Sequence, residues 1–388
     1  MTDLATLATP LRRDLPMPID RVVHREGLQL PPGTVVVSAD SHWEIAEDIF
    51  VERLPAKFRD MAPRIWTDNV VQFGFSDGKG NVIDPMTSEM KKIWERSTEV
   101  EGIHDLNLRI RDMDAEGIAK EINFPSFGLG FSALPDLELR EAIFRVYDEA
   151  LAEMQATAAG RSYGVAVISN WWDATQARSA VQHIVDLGFK AMILPVRAGL
   201  HADGKPVVYS EPELDPLWEA IEASGLPLCF HIGEGARFSG RGGWGIAAMT
   251  SFSPFVPVLA QLIFGGILER FPKLKIVFAE GGIGWVPAAL QDAELVFDSF
   301  TGLHNYFPKL RPTEYWSRNC HATFQNDALG LRLLDHIGVD NVMWAVDYPH
   351  AEGSWGMSEA SMRTVLDSVP PDAARKILGG NALRVFNL

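Results

Sequence analysis

Short runs of apolar, largely β-branched residues recur along the chain. Between them lie longer segments whose apolar positions repeat every three or four residues. The short runs predict strands at 34–42 (TVVVSADSH), 120–126, 163–169, 190–196, 227–233, 275–281, 320–326 and 342–349. The longer segments predict helices near 105–116, 137–159, 173–187, 212–224, 255–271, 285–300 and 328–337, and one at 358–367 after the last strand. In SEPELDPLWEAIEASG the prolines mark a helix start, and Gly225 suits a left-handed C-terminal cap. Eight strands, each followed by a helix, is the count of a (β/α)8 TIM barrel. An open doubly wound sheet usually has fewer strands, and no G-x-G-x-x-G opens a helix after the first strand.

Two regions break the alternation. Residues 43–104 separate the first strand from its helix, and within them VVQFGFSDGKGNVID reads as two strands about an Asp-Gly turn. An insertion here lies on the face where barrel enzymes keep their active sites, so it is expected to act as a cap or lid rather than as a decorative hairpin. Residues 234–252 are glycine-rich and are expected to form a mobile loop. Residues 1–33 read as an irregular arm, packed on a neighbouring subunit, ahead of a single barrel domain spanning 34–388. No internal repeat or low-complexity tract is evident.

Composition narrows the function. Of 388 residues 47% are hydrophobic, enough for a large core, while 35 Lys+Arg against 51 Asp+Glu leave a net charge of −16. That balance argues against nucleic acid and anionic membrane as partners, and leaves a small-molecule substrate. The two cysteines, Cys229 and Cys320, sit in apolar runs and make no disulfide framework, which fits a cytoplasmic location. No run of about 18 apolar residues predicts a transmembrane helix.

The polar residues that close the strands carry the chemistry. In VVVSADSHWE the first strand ends on Asp40 and His42, two positions apart and so on one face. The fifth strand ends in His231, the sixth in Glu280 and the eighth in Asp347. A lone histidine at a strand end is usually a hydrogen-bonded structural residue, and a lone aspartate before a helix is usually an N-cap. Repetition at the same end of four strands weakens both explanations. Buried carboxylates close together repel, and a divalent cation removes that cost. Asp40, His42, His231, Glu280 and Asp347 are therefore the expected ligands of zinc, iron or manganese, as one ion or two.

ADSHWE, FHIG, FAEGGIGWVP and WAVDYPH resemble the amidohydrolase superfamily, in the branch of the aminocarboxymuconate semialdehyde and resorcylate decarboxylases. The resemblance covers roughly 34–386. It implies a (β/α)8 barrel with metal at the strand ends and a tendency to form homodimers. It sets Asp40 and His42 at the first-strand ligand pair, His231 at the fifth-strand ligand, and Asp347 at the position that binds metal and serves as general base. The sequence departs from the family in three places. The first motif is D-x-H, where H-x-H or E-x-H is usual. Glu280 stands where the sixth strand usually has a histidine. The fourth strand ends in LPVR, without a lysine to bridge two metals.

Further candidates flank these positions. His350 follows DYP and is placed to face the site or orient Asp347, and His304 is placed to reach over the barrel mouth as ligand or acid. His321 lies at the wrong end of its strand and is expected to be structural, and His183 to face solvent from a helix. Trp171, Trp172, Trp244 and Trp355 follow strands and offer rings for an apolar pocket, or simple loop anchors. Arg197, just after the fourth strand, is placed to pair with a substrate carboxylate or phenolate.

Two reactions follow from such a site on a small, aromatic or carboxylate-bearing substrate. One is hydrolysis with Asp347 as base. The other is non-oxidative decarboxylation with Asp347 or a nearby histidine delivering the proton. A third route differs in class: a carboxylate-rich iron site, suggested by Glu280, would make the protein an oxygenase. A binding protein built on a degraded barrel is the non-enzymatic alternative.

Overall fold

The computed structural model describes residues 21–23, 27–45, 49–67, 71–76, 82–83, 100–125, 131–132, 134, 136–233, 240–251, 254–300 and 308–388. Eight strands form one parallel sheet in chain order: β1 (Val37–Trp43), β2 (Lys120–Pro125), β3 (Ser162–Val167), β4 (Ala191–Ile193), β5 (Leu228–His231), β6 (Ile276–Ala279), β7 (Cys320–Phe324) and β8 (Val342–Trp344). Six fall inside the predicted ranges, and β1 and β3 overrun theirs by one residue, at Trp43 and Ser162. Strands of a parallel barrel are covered on both faces, so they read as continuous apolar runs, and every position of β1 is buried. The sheet curls into a nearly closed barrel. At the seam Asp347 N donates to Asp40 O (2.9 Å) and His42 N to Tyr348 O (2.8 Å). Val346 N completes the seam by donating to Ser38 Oγ at 2.9 Å.

The predicted helices follow their strands. Asp105 caps Leu106–Glu116 by accepting from Asn107 N and Leu108 N, and Gly117 ends it at φ 74°. Asp136 caps Leu137–Thr157 in the same way, and Gly225 closes Asp215–Ser224 at φ 71°. The C-terminal helical segment packs on the start of β1. A Cβ on Gly379 would lie 1.8 Å from Val35 O, so only glycine permits that approach.

Several expectations change. The first part of the insertion belongs to the core: helix Ile49–Arg53 and the turn after it bury Phe50, Leu54 and Phe58. Strands Arg64–Thr67, Val71–Ser76 and Val82–Ile83 form a separate antiparallel ribbon, and the Asp-Gly turn lies outside the described residues. The stretch expected as a glycine-rich loop forms a helix, Gly243–Ser251, over its second half. Residues 245–264 are long and apolar enough to cross a membrane by length and composition, contrary to the strict count of apolar residues. The run carries Ser, Thr, Gln and Pro but no charge. It divides into Gly243–Ser251 and Val256–Phe264, and the second helix buries Val258, Leu259, Leu262 and Ile263. The described part of the N-terminal arm packs on this chain's own barrel, through Arg21, Leu28 and Leu30.

Candidate metal centre

β1 delivers Asp40 and His42 to the C-terminal end of the barrel, and its register against β2 shifts between Ser38 and Ser41. Such a bulge re-aims the side chains around it. β5 delivers His231 and β6 Glu280, while Asp347 and His350 follow β8. Glu280 and Asp347 hold φ of 67° and 55°, a region that non-glycine residues occupy only when their surroundings enforce it.

The six side chains converge. His42 Nε2 lies 3.2 Å from Asp347 Oδ1, 3.7 Å from Asp40 Oδ1 and 3.8 Å from Glu280 Oε2. His231 Nε2 lies 3.1 Å from Glu280 Oε2 and 3.4 Å from Asp40 Oδ1. His350 Nδ1 lies 3.0 Å from Asp347 Oδ1 and 3.8 Å from Glu280 Oε1. Two overlapping donor sets share His42: one with Glu280, Asp347 and His350, the other with Asp40 and His231.

The arrangement is costly without a cation. Asp40, His42 and Asp347 are at most 1% exposed, Glu280 is 4% and His231 6%. Yet Asp40 Oδ1, His42 Nε2, His231 Nε2 and both Asp347 oxygens make no hydrogen bond. Burial raises Asp40 to about 6 against the attraction of His231. Burial and then Asp347 raise Glu280 to about 8. Burial and then the charge of His350 lower His42 to about 3. For His231 burial is outweighed by Asp40 and Glu280, which hold it at about 9. Burial also opposes the other two shifts: Asp347 and Glu280 hold His350 well above its ordinary value, and His350 holds Asp347 below its own.

The donor set fits a divalent metal. Zinc bonds to nitrogen and oxygen run to about 2.1 Å, so ligands of one ion lie up to roughly 4.2 Å apart. The contacts above, 3.0–3.8 Å, fall within that sphere. The supports are those of a metal site. Ile232 O lies 2.9 Å from His231 Nδ1, which directs the Nε2 lone pair inward. Thr323 Oγ1 accepts from Glu280 N (2.8 Å) and donates to Asp40 Oδ2 (3.4 Å). Phe124 packs on His231 with centroids 4.7 Å apart, giving the site an apolar wall.

All five expected ligands and His350 thus come together at the C-terminal end of the barrel, in two donor sets that share His42. The other candidates are not among these donors. Arg197, expected to meet a substrate anion, is exposed after β4. Trp171 is wholly buried, its indole donating to Ala198 O at 2.7 Å, and Trp172 carries the Arg140 guanidinium 3.7 Å over its ring. Protein occupies these faces, so the two rings are walls of the core rather than open platforms for a ligand. His304 and the side chain of Trp244 lie outside the described residues. Trp355 packs edge-on against Tyr348. His321 is buried at the far end of β7, and His183 is partly buried beside Glu149 rather than solvent-facing. Thr323 and Phe124 were not anticipated, since a threonine or a phenylalanine in a strand reads as β propensity alone.

The amidohydrolase family model matches residues 127–388. The gamma-resorcylate decarboxylase of Polaromonas sp. is 23% identical over 291 residues, 72% of this chain and 86% of the relative. A 2-amino-3-carboxymuconate-6-semialdehyde decarboxylase of Dictyostelium discoideum is 26% identical over 212 residues, 53% of this chain and 55% of the relative. Among solved structures, an amidohydrolase of Mycobacterium avium subsp. paratuberculosis superposes with a TM-score of 0.74 at 20% identity, covering 91% of this chain and 99% of its own. A 5-carboxyvanillate decarboxylase of Novosphingobium aromaticivorans with bound manganese gives 0.66 at 20% identity, covering 95% and 100%. These identities bear on the fold, and nothing among them supports an oxygenase. The family match, which spans more than half of the chain and takes in β3 to β8, settles descent: the chain belongs to the amidohydrolase family.

Proposed function

We propose that this protein is a metal-dependent decarboxylase that removes carbon dioxide, without oxidation, from a small aromatic or unsaturated carboxylate. The observation that carries the reading is the set of buried donor atoms that converge without hydrogen bonds. The decarboxylases among the relatives supply the reaction class. Asp40, His42, His231, Glu280 and Asp347 would hold a single divalent ion, with manganese favoured because three carboxylates suit a hard cation and solved neighbours carry it. A bound divalent ion polarises substrate oxygens and lowers the pKa of a bound water.

The chain's own residues then manage the proton. His350 Nδ1, 3.0 Å from Asp347 Oδ1, would form with it a buried pair able to hold and hand over a proton. The carbon that bears the carboxylate takes a proton from this pair. The bond to the carboxylate carbon breaks, its electrons return to the ring or double bond, and carbon dioxide leaves. The pair recovers its proton from solvent, so no oxidant enters. Phe124 keeps one wall of the site apolar.

The test is carbon dioxide release from a panel of hydroxybenzoates and unsaturated acids, with metal-replete protein, with and without oxygen. Turnover that is indifferent to oxygen and abolished by chelation supports the proposal. Hydrolysis of amides or lactones in place of decarboxylation would overturn it.

A further inference from the structure

The N-terminal arm reaches the loop that carries His350. Arg21 is 6% exposed, and its guanidinium donates three hydrogen bonds to backbone carbonyls more than 300 residues away in sequence. Nη1 donates to Gly353 O (2.9 Å) and Trp355 O (2.9 Å), and Nη2 donates to Ala351 O (2.7 Å). All three acceptors fall in the few residues after His350.

The loop they hold folds tightly back onto β8. His350 N donates to Asp347 O (2.9 Å), Gly353 N to His350 O (3.2 Å) and Ser354 N to Val346 O (2.8 Å). A Cβ on Gly353 would lie 2.4 Å from Asp347 O and 2.6 Å from Val346 O, so only glycine allows the loop to lie so close. Gly356 N donates to Glu116 Oε1 at 2.5 Å. Leu28 N, further along the arm, reaches Glu359 Oε2 at 3.4 Å, just beyond the same loop. Asp347 itself holds φ of 55°, which requires its neighbours to fix it.

We propose that Arg21 is a positioning residue: by gripping three carbonyls of the 351–355 turn it fixes His350 against Asp347 and so sets the geometry of proton delivery. The planar guanidinium suits this task because it offers several donors in one rigid fork, which a lysine ammonium lacks. The inference rests on the decarboxylase reading for its kinetic test.

Full-length Arg21→Ala and Arg21→Lys are compared with wild type after manganese loading, with metal content measured by elemental analysis. In Arg21→Ala, kcat is expected to fall by about tenfold or more, with KM and metal content held within about twofold. Arg21→Lys should recover part of that loss. A kcat within about twofold of wild type, or a loss matched by lost metal, overturns the proposal. If Arg21→Ala fails to fold, Arg21→Lys carries the test, and wild-type kcat in that variant overturns it. If wild type decarboxylates nothing, the functional reading has failed and the cobalt-substituted proteins decide. Arg21→Lys should then shift the ligand-field absorption bands through Asp347, and superimposable spectra would overturn the positioning role.

Discussion

Two clusters of buried charge lie in this barrel, and they treat their polar atoms in opposite ways. One is the ion pair of Arg109 and Glu121, each side chain 1% exposed. Arg109 Nε lies 2.9 and 3.0 Å from the two Glu121 oxygens, and Nη2 lies 2.5 Å from Oε2. Asn123 and Ser162 also donate to Glu121, and the guanidinium lies 3.5 Å over the Tyr348 ring. Among its described atoms, Arg109 Nη1 and Asn123 Oδ1 are left over. The other cluster leaves Asp40 Oδ1, His42 Nε2, His231 Nε2 and both Asp347 oxygens without a hydrogen bond. A network in which the central carboxylate is fully matched from within serves structure. One that holds matched geometry with unmatched atoms is built for something that arrives from outside.

The sharpest way to break that comparison is to remove an inward donor. His231→Ala should lose the metal and lower decarboxylation by about 10³-fold. Elemental analysis and carbon dioxide release check both, and a variant that kept both would end the metal-centre account. Chelation of wild type should also lower its unfolding free energy, by about 2.7 kcal/mol for an ion otherwise present at 100 times its Kd.

The self-contained cluster should respond differently. Arg109→Met leaves Glu121 buried without its partner and should cost about 3–5 kcal/mol in denaturant unfolding. Arg109→Met with Glu121→Leu should recover most of that loss, since a buried pair contributes little beyond an apolar replacement. Neither change should alter metal stoichiometry. Metal loss in the single variant would show that the two clusters are not independent.

The two clusters were not equally legible in the sequence. The inward ligands stood out because each ends an apolar run at the same end of its strand, and Glu280 was visible as a carboxylate just before two glycines. The eight strands were legible because a parallel barrel buries both faces of every strand. What stayed hidden depends on tertiary contact. Arg21 meets its carbonyls across the length of the chain, and no local pattern announces that. Trp171 and Trp172 were correctly placed after β3, but which ring faces stay open is decided by packing, with Arg140 and Phe144 filling them.

Glu116 tests the region between the clusters, where the arm and the turn after β8 meet. Burial raises it from 4.5 to about 7, against hydrogen bonds from Ser358 and Gly356. Between these values the unfolded chain gives up its proton while the folded chain keeps it. Stability should therefore fall as pH rises from 4.5 to about 7, by at most about 3 kcal/mol from this group. Glu116→Gln should flatten that slope in unfolding measured across the window. An unchanged slope would mean that Glu116 is ionised in the folded protein and that the turn tolerates the charge.

The smallest effect sharpens the comparison most, because it concerns a residue that takes part in both styles of packing. Thr323 satisfies Glu280 N outright and gives Asp40 Oδ2 a long bond of 3.4 Å, leaving Oδ1 facing inward. It thus fixes which carboxylate oxygen stays unmatched. Thr323→Val keeps shape and burial but removes both bonds. Orienting partners of this kind are worth about 10–100-fold in metal affinity, and the weak bond to Asp40 places the expected loss at the lower end, about tenfold. Competition with a chelator of known affinity measures it. An unchanged affinity would mean that the strained backbone at Glu280 and the bulge in β1 aim these carboxylates without help from the side chain beside them.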